Sequence, residues 1–250
     1  MTKNYFLLCI GHRGAMGHSP ENTLASISMA LTLGAQFIEV DVYHVEGELV
    51  VFHDNRLERT TNGVGYIDEQ SLAYLSTLDA GEGQRIPTLS EVCELIRGQA
   101  CINIELKGAH TAAPVAKFIE NLVAQGWHYS AILVSSFNHQ ELLTLKQLNP
   151  QILLAVLIYG IPIDYAKFAE DLGAYAINPS IEFINQALVN DAHARNLKVY
   201  AYTANHPADI EKMQQLGVDG VFSNYPERVL AAYPQATKLE LWLGKSDVSK

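Results

Sequence analysis

Positive charge is scarce in this 250-residue sequence: 17 lysines and arginines stand against 27 aspartates and glutamates, a formal charge of −10. Clustered cations mark a nucleic-acid footprint or an attraction to anionic membranes, so that balance argues against both. The few cations near strand ends become the ones to inspect in any protein of this balance that handles phosphate, and Arg13 and Lys107 are the candidates. Long apolar runs are missing too. The run at residues 5–10 is too short for a signal-peptide core with its cleavage site or for a bilayer span, so no stable membrane insertion is expected. Cysteine is rare. Cys9, Cys93 and Cys101 are odd in number, lie in apolar surroundings and lack zinc-site spacing, which suits buried thiols in a reducing cytoplasm.

Apolar residues make up 48% of the chain, enough for one large core with no linker, so residues 1–250 read as one domain. Short β-branched runs alternate with amphipathic stretches of about 10–15 residues, the pattern of repeated βα units around a parallel sheet. Strands are predicted at 6–11, 37–42, 101–106, 132–135, 153–157, 175–178, 198–202 and 220–222. Helices are predicted at 23–33, 89–97, 113–125, 139–148, 165–172, 185–195, 207–216 and 226–232. Eight units in a chain of this length favour an α/β (β/α)8 TIM barrel. An open doubly wound sheet is the competing arrangement, because periodicity cannot show that the last strand pairs with the first. About 45 residues separate Tyr43 from Leu89, too many for an ordinary βα loop. An insertion after strand two is therefore expected, about 54–88, preceded by a strand-like run at 48–52 and holding a short helical segment near 71–77. At the C-terminal rim of a barrel it would cover substrate.

Glu39 and Asp41 alternate along an apolar strand and so share a face. Two unpaired carboxylates on an inward face repel and lose hydration, and a cation resolves this; Glu105 sits similarly near the end of strand three. Three carboxylates suit one hard divalent ion, Ca2+ or Mg2+. Pairing with Arg13 or Lys107 is the other resolution. His12 and Arg13 follow strand one, and His53 follows the extra strand. Two histidines at one rim suit paired acid and base work, whereas either alone could be structural. Lys107, two residues beyond Glu105, could hold a phosphoryl oxygen or bridge to Glu105 or Asp41, and Arg13 could supply a forked contact. In Pro20-Glu21-Asn22-Thr23, Asn22 or Thr23 can cap the following helix; the Asn22 amide could instead orient Arg13 or His12.

In order along the chain, the motifs Gly11-His12-Arg13-Gly14-Ala15, Pro20-Glu21-Asn22-Thr23, Glu39-Val40-Asp41-Val42, Val51-Phe52-His53-Asp54, Arg59-Thr60-Thr61-Asn62-Gly63, Ile86-Pro87-Thr88-Leu89, Asn103-Ile104-Glu105-Leu106-Lys107 and Gly217-Val218-Asp219-Gly220 resemble the glycerophosphodiester phosphodiesterases, in a bacterial-like cytoplasmic form. Any one motif is weak; the ordered set covers almost the whole chain. The resemblance implies a barrel whose rim binds one divalent metal through Glu39, Asp41 and Glu105. It implies His12 and His53 as acid and base, Arg13 and Lys107 on the phosphate, Tyr202 on the substrate, and Glu21 and Asn22 in support. It also implies hydrolysis of small glycerophosphodiesters to sn-glycerol 3-phosphate and an alcohol, with the insertion over the glycerol end. Two departures stand out. Tyr202-Thr203-Ala204-Asn205 replaces the family's frequent Trp-Thr-Val-Asn, and Asn224 stands where an aspartate is common. Neither is expected to touch a catalytic group; both bear on the leaving-group pocket.

Two other functions fit less well. A lysophospholipase D or sphingomyelinase D-like activity would need an apolar acyl groove, against which the insertion and acidic surface argue. A catalytically silent barrel that binds phosphodiesters or partner proteins would have lost a histidine or carboxylate, and none is lost. A monomer or a homodimer is expected, with residues 238–250 packing across the barrel bottom or joining two copies.

Overall fold

The computed structural model describes residues 7–233. In chain order the elements are β1 (Leu8–Gly11), α1 (Leu24–Thr32), β2 (Phe37–Val45), β3 (Glu48–Val51), α2 (Leu72–Leu75), α3 (Leu89–Ile96), β4 (Cys101–Leu106), α4 (Ala112–Ala124), β5 (Ile132–Ser136) and α5 (His139–Leu148). They continue with β6 (Leu153–Ile158), α6 (Lys167–Leu172), β7 (Ala176–Pro179), α7 (Gln186–Ala194), β8 (Lys198–Ala201), α8 (Pro207–Leu216), β9 (Gly220–Ser223) and α9 (Pro226–Ala232). Phe6, expected to begin strand one, and residues 238–250 lie outside the described residues.

Eight strands pair in parallel around a ring, and β1 closes it: Leu8 lies opposite Gly220 and Gly11 opposite Ser223 on one side, with Ile10 opposite Phe37 on the other. That double pairing makes the fold a closed (β/α)8 barrel and removes the open sheet. No helix among the described residues is long and apolar enough to cross a membrane.

Local sequence sets the helix boundaries. Thr23, rather than Asn22, caps α1, its Oγ1 accepting from the Ser26 amide at 3.2 Å. Thr88 and Glu91 form a reciprocal capping box at α3, and prolines open α8 and α9. Gly173 and Gly217 end α6 and α8 in the left-handed region, φ 69° and 78°, where a Cβ would be strained.

Alternation along each strand divides the core in two and continues into the site. Leu8, Ile10, Phe37, Cys101, Leu133, Tyr200 and Phe222 fill the barrel, while Ile38, Val40, Ile102 and Ile104 pack outward among the helices. Two residues above Phe37 the same inward row reaches Glu39, then Asp41; above Cys101 it reaches Asn103, then Glu105. The carboxylates thus sit on the register that packs the core.

Strand β2 runs to Val45, beyond its predicted end at 42, because it leaves the ring there and turns through Glu46-Gly47 into antiparallel β3. The insertion that follows has its own small core, in which Leu57, Ile67, Leu75 and Leu78 pack on Tyr43, Val45 and Phe52. The Val51 amide donates to the Pro87 carbonyl at 2.8 Å, which returns the end of the insertion to the hairpin.

Candidate active site

The turn after β1 is folded tightly onto α1. Gly14 has φ +83°, and a Cβ there would come within 2.5 Å of the Ser26 backbone, so only glycine fits. Arg13 and Asn22 also take the left-handed region, φ 50° and 59°, which costs about 1–3 kcal/mol each and is held by the Asn22 amide donating to the Arg13 carbonyl. Bent this way, the chain aims both His12 and the Arg13 backbone N–H at the carboxylates of β2.

One oxygen of each carboxylate is satisfied by protein. The Arg13 amide donates to Glu39 Oε2 at 2.9 Å, Asn22 Nδ2 to Asp41 Oδ2 at 2.8 Å, and Lys107 Nζ to Glu105 Oε1 at 2.9 Å. Arg13 Nε also lies 3.3 Å from Asp41 Oδ2. Asn22 therefore positions a carboxylate; its side chain orients neither Arg13 nor His12. Pairing with cations is real but incomplete. Glu39 Oε1 and Asp41 Oδ1 are buried without a hydrogen bond, in residues only 1% exposed. Buried carboxylate oxygens left this way are costly. Glu39, Asp41 and Glu105 offer oxygens within 4.8 Å of one another, so this buried triad can hold a metal ion, and its all-oxygen donors fit a hard divalent cation. Without that charge, burial and mutual repulsion push the Glu39 and Glu105 carboxyls above the ordinary carboxylate range. Burial alone would lower Lys107, but Glu105 and Asp41 outweigh it and keep the ammonium protonated.

The two histidines have unlike partners. His12 Nδ1 lies 2.7 Å from Asn224 Oδ1, which fixes the proton on Nδ1 and leaves the Nε2 lone pair free, 4.0 Å from Glu39 Oε2. Burial and the neighbouring Arg13 lower its pKa to about 4. Asn224 thus touches a candidate catalytic group, contrary to the sequence expectation: once Gly11 pairs with Ser223, the residues that follow each strand are neighbours. His53 Nδ1 lies 2.6 Å from Asp54 Oδ1. Burial lowers its pKa as well, while Asp41 and Asp54 oppose the change.

Arg59, in the insertion, ties these groups together. It donates to Asp54 from Nε at 2.5 Å and from Nη2 at 2.9 Å, and to Glu21 from Nη1 at 2.8 Å and from Nη2 at 2.6 Å. Glu21 in turn accepts from Arg13 Nη1 at 2.6 Å. Glu21 therefore links two arginines.

His12, Arg13, Glu39, His53, Glu105, Lys107 and Tyr202 line one cavity of about 290 Å³, so seven of the ten candidate residues meet there. Asp41, Asn22 and Glu21 support it from below and from the side. Phe137, Tyr159 and Phe222 also line it and were not singled out in the sequence. Tyr202 lines the cavity, and its hydroxyl donates to the Ile158 carbonyl at 3.0 Å. A second cavity of about 590 Å³, lined by Tyr43, Asp54, Asn55, Arg56, Glu58 and Arg59, adjoins the first and shares His53 and Lys107 with it.

Residues 12–228 match the family model of the glycerophosphoryl diester phosphodiesterase family. The chain is 34% identical over 235 residues to a glycerophosphodiester phosphodiesterase of Caldanaerobacter subterraneus, covering 89% of this chain and 96% of that one. It is 32% identical to a glycerophosphodiester phosphodiesterase of Bacillus subtilis, with 88% and 84% covered. Among solved structures, an Oleispira antarctica phosphodiesterase in complex with the product sn-glycerol-3-phosphate superposes with a TM-score of 0.84 at 33% identity, covering 92% of this chain and 98% of that one. A glycerophosphodiester phosphodiesterase of Agrobacterium tumefaciens gives 0.76 at 27% identity, with 90% and 100% covered.

Proposed function

The chain belongs to the glycerophosphoryl diester phosphodiesterase family and is an enzyme of that activity; from this premise we propose that it hydrolyses small deacylated glycerophosphodiesters, such as glycerophosphocholine and glycerophosphoethanolamine, to sn-glycerol 3-phosphate and an alcohol, with the residues of the cavity in the roles that follow. The observation that carries this reading is the buried carboxylate triad with two unsatisfied oxygens, faced by two histidines and two cations in one cavity.

Glu39, Asp41 and Glu105 hold one divalent cation, Mg2+ or Ca2+, which when bound supplies positive charge beside the phosphoryl group. The Lys107 ammonium, which reaches Glu105 at 2.9 Å from the cavity wall, would meet a non-bridging phosphoryl oxygen. Arg13 adds a second cation, fixed from both sides by Glu21 and Asp41. His12 and His53 form the acid–base pair. One accepts a proton at Nε2 from the nucleophile, water or the neighbouring glycerol hydroxyl, and the other delivers a proton to the departing alkoxide, whose high pKa makes that delivery worth about two to four orders of magnitude. Each imidazole is held through Nδ1, by Asn224 or by Asp54, so each presents Nε2 to substrate. The product-bound Oleispira structure supports a small-molecule substrate of this class.

The three buried free thiols are consistent with a reducing cytoplasm as the place of action, in phospholipid and glycerol metabolism. The discriminating experiment is release of sn-glycerol 3-phosphate from glycerophosphocholine beside cleavage of lysophosphatidylcholine. Glycerophosphocholine should be cleaved at least about a hundredfold more efficiently, since in lysophosphatidylcholine one glycerol hydroxyl is replaced by an acyl ester that cannot donate to a polar site. Comparable efficiency on the acylated substrate would move the protein to a lysophospholipase D or sphingomyelinase D-like activity.

A further inference from the structure

The wall formed by the ends of β5 to β8 carries more aromatic surface than the reaction uses. Phe137, Tyr159 and Phe183 are 47%, 57% and 44% exposed, and all three stand at the cavity mouth or pack on a residue that does. Tyr159 meets Phe183 edge to face at 5.0 Å, and Phe137 meets Tyr202 at 5.8 Å. Large exposed rings gathered beside a site mark a binding surface. One acidic group is built into this one: the Tyr159 hydroxyl donates to Glu182 Oε2 at 2.7 Å. The Glu182 charge also reaches Tyr202, where burial chiefly, and Glu105, Tyr159 and Glu182 besides, raise the phenol pKa.

A carboxylate among electron-rich rings attracts a cation. One ring of the wall already faces a cation, the Lys107 ammonium, which Glu105 holds 5.9 Å from the Phe137 ring centre. That contact occupies Phe137 and leaves Tyr159, Phe183 and Tyr202 for a ligand. The neighbouring cavity differs in kind: beside Tyr43 it is lined by Asp54, Asn55, Arg56, Glu58 and Arg59, and it suits hydroxyls. A phosphodiester centred on the shared Lys107 and His53 would extend one arm into each.

We propose that Tyr159, Phe183 and Tyr202, backed by the Glu182 carboxylate, form the subsite for a cationic leaving-group alcohol, a quaternary or primary ammonium, and thereby set which glycerophosphodiester is preferred. The inference rests on the glycerophosphodiesterase reading of the site. It assigns the glycerol arm to the polar cavity under the insertion and the ammonium arm to the aromatic wall.

The test compares kcat/KM for glycerophosphocholine with that for its 3,3-dimethylbutyl isostere, which keeps the shape and lacks the charge. The native enzyme should favour the choline diester about tenfold, the size of a cation–π contact strengthened by a carboxylate. Glu182→Gln and Tyr159→Leu should each bring that ratio within about threefold of unity, with thermal melting unchanged because both side chains are exposed. Choline should compete with substrate more strongly than 3,3-dimethylbutanol does. Cleavage of both diesters at equal efficiency by the native enzyme, or a preference that survives both substitutions, would overturn the subsite while leaving the phosphodiesterase reading intact. Cleavage of neither diester would overturn both.

Discussion

The two halves of the barrel mouth are built on opposite principles. The half formed by β1 to β4 and the insertion holds the carboxylates, both histidines, and Arg13, Arg59 and Lys107, nearly every one tied to another by a hydrogen bond or ion pair. The half formed by β5 to β8 presents Phe137, Tyr159 and Tyr202 to the cavity, with Glu182 accepting from the Tyr159 hydroxyl. Charges that are buried and paired lose most when one member is removed, whereas exposed rings add affinity in small independent amounts. Chemistry should therefore fail abruptly on the first side and specificity should drift on the second.

The most damaging single change should be Glu39→Gln. It should cut turnover roughly a thousandfold or more, the scale of a lost metal ligand. The ion-free variant should melt at the same temperature as the ion-free native protein or slightly above it, because a carboxyl driven above its ordinary range is a folded-state liability near neutral pH. A large drop in melting temperature would mean that Glu39 belongs to a structural ion pair.

The histidines come next. His12→Ala and His53→Ala should each lose about two to four orders of magnitude on glycerophosphocholine. On a p-nitrophenyl diester, whose leaving group needs no proton, only one should recover, and that one is the acid. Equal recovery would undo the division of labour between an imidazole held by an amide and one held by a carboxylate.

A smaller loss is expected at Arg59, which touches Asp54 and Glu21 but not the cavity's centre. Arg59→Ala should lower kcat/KM about tenfold to a hundredfold, as outer-shell changes do, with Arg59→Lys restoring little because one ammonium cannot reproduce the fork. Activity unchanged in Arg59→Ala would show that the network stabilises the insertion alone.

The smallest effect is on acid stability. Burial would raise Glu21, but Arg59 and Arg13 outweigh it and hold it at about 2; Arg59 chiefly, with His53, holds Asp54 at about 2 against the burial that would raise it. Both carboxyls are depressed in the folded state, so their contribution is complete above the unfolded values of 4.5 and 3.8 and is lost as pH falls toward 2. The melting-temperature gap between native protein and Arg59→Ala should therefore be widest near neutral pH and close between about pH 4.5 and 2. A gap that stays constant across that range would assign the stabilisation to packing.

Much of the charged half is legible in the chain before it folds. Eight βα units, the insertion after strand two and the placement of Glu39, Asp41 and Glu105 are local patterns, carried by alternation and spacing. His12, Arg13, His53 and Lys107 follow strand ends and were legible for the same reason. Asn224 was not, because it reaches His12 across 212 residues through the pairing of the last strand with the first. Arg59 was visible within a motif, yet its bridge from Asp54 to Glu21 exists only once the insertion folds back onto the loop between β1 and α1. Phe137 and Tyr159 look like ordinary loop aromatics until four strands bring them to one wall.

The central claim, that the charged half works around a divalent cation held by three carboxylates, is tested most directly by following sn-glycerol 3-phosphate release from glycerophosphocholine by chelated enzyme as single metals are restored. Turnover should vanish on chelation and return with Mg2+ or Ca2+, the hard ions that an all-oxygen site prefers. Full turnover by the metal-free enzyme would contradict the account and leave catalysis to Lys107, Arg13 and the histidines alone.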